Sequence, residues 1–494
     1  MKLADLLTQI SVRKSSGTLD LNIEGISQDS RSVRPGALFL CIKGFKTNGH
    51  HYLKQAADDG AVAAVVSEWP AEDYGLTIIL VEEVNGPVIK AIASAFYGYP
   101  DRRLKLIGII GTNGKTTSTY LVKSVLEAAG HSVGLIGTIA NLIKDRRLET
   151  SNTTPGVLEL QKLFAMMVEA GVEYVIMEVS SHSIDQGRIS GLEFIGGIFT
   201  NITQDHLDYH GTFEEYFQVK SSFFRQLPAH SWAAVNRDDS HAEKLIAQIS
   251  AKVITYGIEQ AADVRAESVN VSHSGVSFMT LSKLGRLRFE LDLMGYFNVY
   301  NSLGAIAAGL AMGIDLEAIK RGLEKVTGVP GRFEAVPGAD SFGVIVDYAH
   351  TPDGLENILN SARGLTDGRL LLVFGCGGDR DRTKRPQMGA LAALKADFTI
   401  ITSDNPRSED PHRIIEDIEV GFLRANPDAR YLIDVDRAAA IRKIIALAED
   451  SDIVVIAGKG HETYQIFADR TIHFDDREIA REALEERSNG CLHA

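Results

Sequence analysis

The run from Leu104 to Gly130 constrains the fold more than any other part of the chain. It passes from an apolar strand, Leu104-Lys105-Leu106-Ile107-Gly108-Ile109-Ile110, through Gly111-Thr112-Asn113-Gly114, and into Lys115-Thr116-Thr117 and an amphipathic stretch closed by Gly130. A strand that turns on glycines directly into a helix opens a βαβ unit, which commits the chain to a parallel sheet with crossover helices. The turn also specifies chemistry. Gly111 and Gly114 let backbone N–H groups converge on an anion at a helix N-terminus, Lys115 adds a cation, and Thr116 offers a hydroxyl to a magnesium ion. Over Ser118 to Ala129, Leu121, Val125 and Leu126 form the inner face. The common phosphate loop has a further glycine six residues before its lysine; Ile109 stands there, so this is a shortened relative of that loop.

At 494 residues the chain exceeds what one core supports, and a length of roughly 150 residues per domain gives about three. Hydrophobic residues make up 45% and charged residues 23%, a globular balance that excludes wholesale disorder. No apolar run is long enough to span a bilayer, so no membrane insertion is expected. Asp5 interrupts the start of the chain where a signal peptide would become apolar, so a cytoplasmic location is expected. Cys41, Cys376 and Cys491 are odd in number and widely spread, without metal spacing, and are expected to be reduced thiols. The net charge of −14 argues against a nucleic-acid partner, because phosphate backbones need clustered Lys and Arg.

Residues 1–100 read as a small N-terminal α/β domain, with strands at 37–42 and 61–66. Its loops Gln28-Asp29-Ser30-Arg31 and Lys43-Gly44-Phe45-Lys46-Thr47-Asn48-Gly49-His50 are either plain surface loops or ligand loops, and Gly98-Tyr99-Pro100 reads as a linker. Residues 101–331 read as a central parallel sheet with strands at 133–139, 174–179, 197–202, 232–235 and 253–256. A β-hairpin, 275–281 with 287–293, is attached to it. Strand ends carry Glu178-Val179-Ser180-Ser181-His182 and Asn201 to His210, where open α/β sheets bind ligands. Glu178 closes an apolar strand, and a buried acid needs a partner; a cation serves, or the acid simply faces water. Asn298 and Asn301 lie one helical turn apart and either face one site or include a helix cap. Gly328-Val329-Pro330-Gly331-Arg332 reads as a hinge into residues 332–494, a second, doubly wound sheet with strands at 344–347, 370–374, 398–402 and 453–457. Its strand ends carry Asp347-Tyr348-Ala349-His350, Gly375 to Arg380, Ser403-Asp404-Asn405-Pro406-Arg407 and Gly458-Lys459-Gly460-His461-Glu462.

Taken in order, Gly111 to Thr117, Thr153-Thr154-Pro155, Glu178 to His182, His206-Leu207-Asp208, Asn298, Gly331-Arg332 and Asp347 to His350 resemble the ATP-dependent Mur ligases of bacterial cell-wall synthesis. These ligases are related to folylpolyglutamate synthase. The resemblance covers nearly the whole chain. It implies an α/β fold of three domains: the small N-terminal α/β domain, the central P-loop sheet with its hairpin, and a Rossmann-like C-terminal sheet. It implies a monomer that uses ATP and Mg2+ to activate a carboxylate as an acyl phosphate, which an amine then attacks. Asp29-Ser30-Arg31 and Asp404 to Arg407 resemble the members that add meso-2,6-diaminopimelate to the D-Glu γ-carboxylate of UDP-N-acetylmuramoyl-L-alanyl-D-glutamate.

Carried over residue by residue, the resemblance implies ATP contacts from Gly111, Thr112, Asn113, Gly114, Lys115, Thr116, Thr117, Asn298, Arg332 and Asp347. It implies UDP-dipeptide contacts from Ser30, Phe45, Lys46, Thr47, Asn152, Thr153, Thr154, Ser180, Gln186 and Arg188. Phe45-Lys46-Thr47 departs from the His-Gln-Ala of some relatives. The metal set would be Thr116, Glu178, His206 and Lys220, the last as an N6-carboxylysine; taken alone, Lys220 reads as a helix-surface lysine and His206 as structural. Diaminopimelate contacts would come from Arg380, Asp404, Asn405, Pro406, Arg407, Gly458 and Glu462.

The choice of amine has a physical basis. Lysine shares the distal ammonium of diaminopimelate but lacks its distal carboxylate. Arg407 offers a planar fork for that group, Arg380 a second cation, and Glu462 a counter-charge for the ammonium. A site built around a missing group rejects the analogue by roughly 10⁴. Alternatively, Arg407 belongs to a solvated type I turn. Two other readings are a folate-polyglutamating ligase, which should lack the Asp29 and Asp404 signatures, and a nucleotide switch, which Ile109 disfavours.

Overall fold

The computed structural model describes residues 1–44, 47–150, 152–272, 274–339 and 341–490. Phe45, Lys46 and Cys491 lie outside the described residues. The chain forms two compact units. One holds residues 1–108, 131–196 and 219–231, and the other 109–130, 197–218 and 232–494.

In the first unit, strands β1 (Lys14–Ser15), β2 (Gly25–Ser27), β3 (Ala37–Leu40), β4 (Ala61–Val66) and β5 (Thr77–Leu80) form a sheet of order β1-β5-β4-β3-β2. Only the β1 ladder is antiparallel. The period of two shows directly in the packing. Leu38, Leu40, Ala63 and Val65 enter one core with Leu3, Leu6 and Ile92, while Phe39, Cys41, Ala64 and Val66 enter another with Val33 and Leu53. The helix Gly86–Phe96 covers the first of these cores. Its start is fixed by Asn85, whose side chain accepts the Val88 N–H, and by a proline in the first turn. The expected linker at Tyr99 is held in place: Asp101 accepts from Ser94 Oγ at 2.6 Å and pairs with Lys90 at 3.0 Å.

Four strands complete this unit, beyond β6 (Lys105–Ile110), which crosses into the second unit. They are β7 (Val133–Ile136), β8 (Asn141–Ile143), β9 (Arg146–Leu148) and β10 (Tyr174–Glu178). β10 runs parallel to β7, and β7, β8 and β9 form an antiparallel meander. The strand expected over 133–139 therefore stops at Ile136.

Strand β11 (Phe194–Phe199) lies three residues earlier than expected and also crosses between the units. The second unit continues with β12 (Trp232–Asn236) and β13 (Lys252–Gly257), a parallel pair. Then follow β14 (Val264–Ser272), β15 (Gly275–Ser282) and β16 (Gly285–Leu291). β15 and β16 are the expected hairpin; β14 is a third strand, antiparallel to β15, with a register shift between Glu267 and Asn270. The helix Lys115–Ala128 starts at the residue after the glycine turn, and Ser124 Oγ donates to Gly322 O at 2.6 Å.

The C-terminal sheet uses β17 (Glu334–Ala335), β18 (Gly343–Asp347), β19 (Leu370–Phe374), β20 (Phe398–Ile401), β21 (Tyr431–Ile433) and β22 (Ile453–Ala457) in the order β17-β18-β22-β19-β20-β21. All ladders but that of β17 are parallel. Alternate residues feed two cores: Ile345, Leu370, Leu372, Phe374, Ile401 and Val455 face one, and Val344, Val346, Leu371, Val373, Ile400 and Val454 face the other. This is why the strands read as unbroken apolar runs, and it places their polar carboxyl-end residues at one edge. No helix among the described residues is long and apolar enough to cross a membrane. Cys41 and Cys376 are free and buried, and burial pushes both thiols up to about 12, so they stay protonated.

Candidate active site

The glycine turn is built by contacts that only glycine allows. A Cβ on Gly111 would lie 1.8 Å from Thr200 Oγ1. Gly114 sits at φ +81°, and a Cβ there would lie 2.3 Å from Asn301 Oδ1. Thr200 Oγ1 donates to Asn113 O at 2.6 Å, and Asn201 Oδ1 accepts the Asn113 N–H at 2.9 Å. Lys115 Nζ donates to Gly111 O and Thr112 O at 2.9 and 2.8 Å, which keeps its charge over the turn. Thr116 and Thr117 are buried in the first helical turn.

Residues far along the chain converge on this turn within the same unit. Arg332 Nη2 donates to Thr116 Oγ1 at 2.9 Å, and the guanidinium lies 4.8 Å from the Tyr348 ring centroid. Among the described residues Arg332 Nε is buried without an acceptor, a donor suited to a ligand oxygen. Asn298 is not a cap. It lies inside the helix Phe297–Ala311, where Asn301 Nδ2 donates to its Oδ1 at 2.8 Å, so the two side chains do meet. Asp347 accepts the Phe333 and Ala349 N–H groups, both at 2.7 Å; burial pushes its carboxyl up, against the pull of Arg332 and these N–H groups.

Asp353 is a residue that sequence reasoning missed. Its Oδ2 accepts from Asn113 Nδ2 at 2.6 Å and from Thr203 Oγ1 at 3.0 Å, tying the helix Pro352–Arg363 to the turn. The sequence shows only an acid in the first turn of a helix, which the helix dipole already accounts for.

The first unit carries a separate polar cluster. Glu178 is 1% exposed. Its oxygens accept the Thr138 N–H at 2.8 Å and the Thr138 hydroxyl at 3.0 Å, so the acid is buried with a protein partner rather than facing water. Thr153 Oγ1 lies 3.0 Å from Thr138 Oγ1, and Thr154 Oγ1 donates to Glu178 O at 2.8 Å. Thr154 Oγ1 also accepts the Ser180 N–H at 3.2 Å. Arg188 donates to Thr154 O at 2.9 Å and to Gln186 Oε1 at 2.6 Å, so these side chains are gathered. Asn152 O accepts from Thr150. Ser30 lies in the N-terminal part of the unit, where its hydroxyl donates to Gln55 at 3.0 Å, and Thr47 O accepts the Gly44 N–H at 2.9 Å. Lys220 is 2% exposed in the helix Phe213–Arg225, a buried side chain rather than a surface one.

His206 belongs to the second unit, where it takes φ 53° and its N–H donates to Asp205 Oδ1 at 2.8 Å. Among the described residues no group of three or more His, Cys, Asp and Glu side chains is arranged to hold a metal ion.

At the carboxyl ends of β19, β20 and β22 a third cluster forms. Asn405 Nδ2 donates to Glu462 Oε2 at 2.7 Å, and the buried Lys459 donates to the same oxygen at 3.2 Å. Burial and the neighbouring Asp404 push the Glu462 carboxyl up, opposed by Lys459 and Asn405. Arg407 takes φ 53°, and its Nη1 donates to Gly378 O at 2.9 Å, so its fork is anchored rather than loosely solvated. Ser408 donates to Asp379 Oδ1 at 2.6 Å, and Arg380 donates to Asp379 O at 3.1 Å. Pro406 and Gly458 hold backbone positions: a Cβ on Gly378 would lie 1.9 Å from Pro406 O, and one on Gly458 2.6 Å from Asp404 Oδ2. Beneath them the Arg437–Asp476 pair, both 0% exposed, donates from Arg437 to Ala457 O. A cavity of about 840 Å³ opens at the opposite, amino ends of β18 and β22, and none of the site residues named above lines it.

The chain matches the Mur ligase family catalytic domain over residues 22–96, the Mur ligase middle domain over 109–309 and the Mur ligase glutamate ligase domain over 331–460. It is 49% identical to a UDP-N-acetylmuramoyl-L-alanyl-D-glutamate--2,6-diaminopimelate ligase of Clostridium botulinum, over 94% of this chain and 95% of that one. A Geobacillus thermodenitrificans protein of the same name is 47% identical over 94% and 96%. A solved structure with this name superposes with a TM-score of 0.67 at 31% identity, covering 99% of both chains. A Mycobacterium tuberculosis folylpolyglutamate synthase shares the fold alone, at 19% identity and a TM-score of 0.64 over 81% of this chain and 95% of that one. With matched domains in order and near-complete coverage at such identity, the chain belongs to the Mur ligase family.

Proposed function

We propose that the protein is a cytoplasmic ATP-dependent ligase of peptidoglycan precursor synthesis. It adds meso-2,6-diaminopimelate to the D-Glu γ-carboxylate of UDP-N-acetylmuramoyl-L-alanyl-D-glutamate. The observation that carries the choice of amine is the strand-end cluster, where Arg407, Arg380 and the partly buried Glu462 match the distal carboxylate and ammonium of diaminopimelate.

The glycine turn, Lys115, Arg332, Asn298 and Asp347 hold ATP. A γ-carboxylate oxygen attacks the γ-phosphorus, ADP leaves, and the positive groups of the turn stabilise the charge spread over the transferring phosphoryl. The amine then attacks the acyl carbon, the C–O bond to phosphate breaks, the nitrogen gives up a proton, and an amide, ADP and phosphate result. Thr153, Thr154, Ser180, Gln186 and Arg188, with Ser30, Phe45, Lys46, Thr47 and Asn152, hold the nucleotide-sugar dipeptide.

Magnesium is the proposed cation at the phosphates, where the Thr116 hydroxyl, in the first helical turn after the glycines, is a hard oxygen donor suited to it. It supplies charge neutralisation at the phosphates. The same reading divides the chain into domains at 1–100, 101–331 and 332–494 and treats it as a monomer.

The test uses dipeptide substrate labelled with 18O in the D-Glu γ-carboxylate. Transfer of one labelled oxygen to the released phosphate is expected. Unlabelled phosphate would exclude the acyl phosphate.

A further inference from the structure

We propose that Lys459 is a positioning residue for the amine. It locks Asn405 and Glu462 so that a single Glu462 oxygen is presented to the distal ammonium of the incoming diamino acid. This deepens the function proposed above and rests on it.

The Lys459 side chain is 0% exposed. Its three N–H bonds are all used: Nζ donates to Tyr464 O at 2.5 Å, to Asn405 Oδ1 at 3.2 Å and to Glu462 Oε2 at 3.2 Å. Asn405 Oδ1 also accepts the Ile466 N–H at 3.0 Å. Two donors on that oxygen leave the amide one orientation, with its NH2 toward Glu462 Oε2 at 2.7 Å. Glu462 Oε2 thus takes two donors, and Oε1, with no donor on it among the described residues, keeps its lone pairs for a ligand. The Glu462 N–H donates to Lys459 O at 2.9 Å, a turn that brings the two side chains together.

A structural ion pair would need none of this convergence, since apolar groups of like volume often replace a buried pair without loss of stability. Charge is the second part of the argument. The charged and titratable groups facing Glu462 are Lys459 and Asp404, with Tyr348, Tyr464 and Arg437 behind them. Burial and Asp404 favour the neutral acid, while the charge of Lys459, and after it the Asn405 hydrogen bond, favours the carboxylate. Without Lys459, Glu462 should hold its proton to higher pH and lose its hold on an ammonium.

The experiment measures phosphate release by the full-length enzyme with saturating ATP, magnesium and UDP-dipeptide, varying meso-diaminopimelate from about pH 6 to about pH 9. Lys459→Met is expected to raise the diaminopimelate KM about tenfold or more, keep kcat within about threefold and leave the ATP KM unchanged. It should also move the acid limb of kcat/KM up by about one pH unit. Lys459→Arg should keep the limb in place, and Glu462→Gln should remove it. If Lys459→Met does not fold, Lys459→Gln removes the same charge and carries the same expectation. An acid limb unmoved by loss of the charge, or an ATP KM rising in step with that of diaminopimelate, overturns the proposal. Wild-type enzyme inactive with meso-diaminopimelate would instead overturn the proposed function on which it rests.

Discussion

Replacing Gly114 with alanine tests whether the turn is shaped for ATP by the contact with Asn301. The residue sits at φ +81°, where a non-glycine residue costs roughly 1–2 kcal/mol. The new methyl would lie 2.3 Å from Asn301 Oδ1, so that side chain must move and give up its 2.8 Å bond to Asn298. That loss is worth about 0.5–1.5 kcal/mol. Together the two effects come to about 1.5–3.5 kcal/mol, or a factor of about 10 to 400 in ATP affinity if expressed wholly in binding. Calorimetric titration with ATP and magnesium, beside urea unfolding of the free protein, separates binding from stability. Gly130→Ala is the control: it carries the same kind of strain, at φ +88°, with open space around the methyl. It should lower stability by the strain alone and leave ATP binding intact. Equal ATP affinities for the two variants would refute the reasoning.

Three further outcomes are expected. Asp476→Ala leaves the Arg437 charge buried and unpaired and should lower the urea-derived stability by about 3–5 kcal/mol; a loss below about 1 kcal/mol would contradict the pair's role. Asp452 is buried, which alone would raise its carboxyl, but the Arg369 fork and the N–H groups of Glu449 and Arg369 hold it below its ordinary 3.8. Its stabilisation is therefore present above that value and lost as pH falls through the depressed one. Asp452→Asn should cost about 1.5–3 kcal/mol at neutral pH and lose less than wild type on acidification below about pH 4, as read by thermal melts. Arg407→Ala should raise the diaminopimelate KM roughly a hundredfold while leaving ATP affinity within about twofold; equal losses in both would remove its assigned role.

What was legible in the sequence followed from local physics. Leu370–Phe374 and Ile453–Ala457 were read to the residue, because strands buried on both faces are apolar throughout and end abruptly in polar residues. β11 was misplaced because Gly196-Gly197 looks like a boundary yet lies inside the strand. β14 was missed because its register shift between Glu267 and Asn270 breaks the alternation that marks a strand. In sequence Asn298 is open between cap and site, and the structure makes it the second residue of the helix, inside the cap position. Nothing local announced that Asp353 reaches Asn113 or that Thr138 satisfies Glu178, because both contacts are made by tertiary folding between residues that look ordinary in sequence.

Phosphate release across a panel of amines tests the central claim most directly. With enzyme, ATP, magnesium and UDP-N-acetylmuramoyl-L-alanyl-D-glutamate present, meso-diaminopimelate is expected to drive turnover, while lysine falls short by roughly 10⁴ in kcat/KM. Turnover with lysine and none with meso-diaminopimelate would contradict the account.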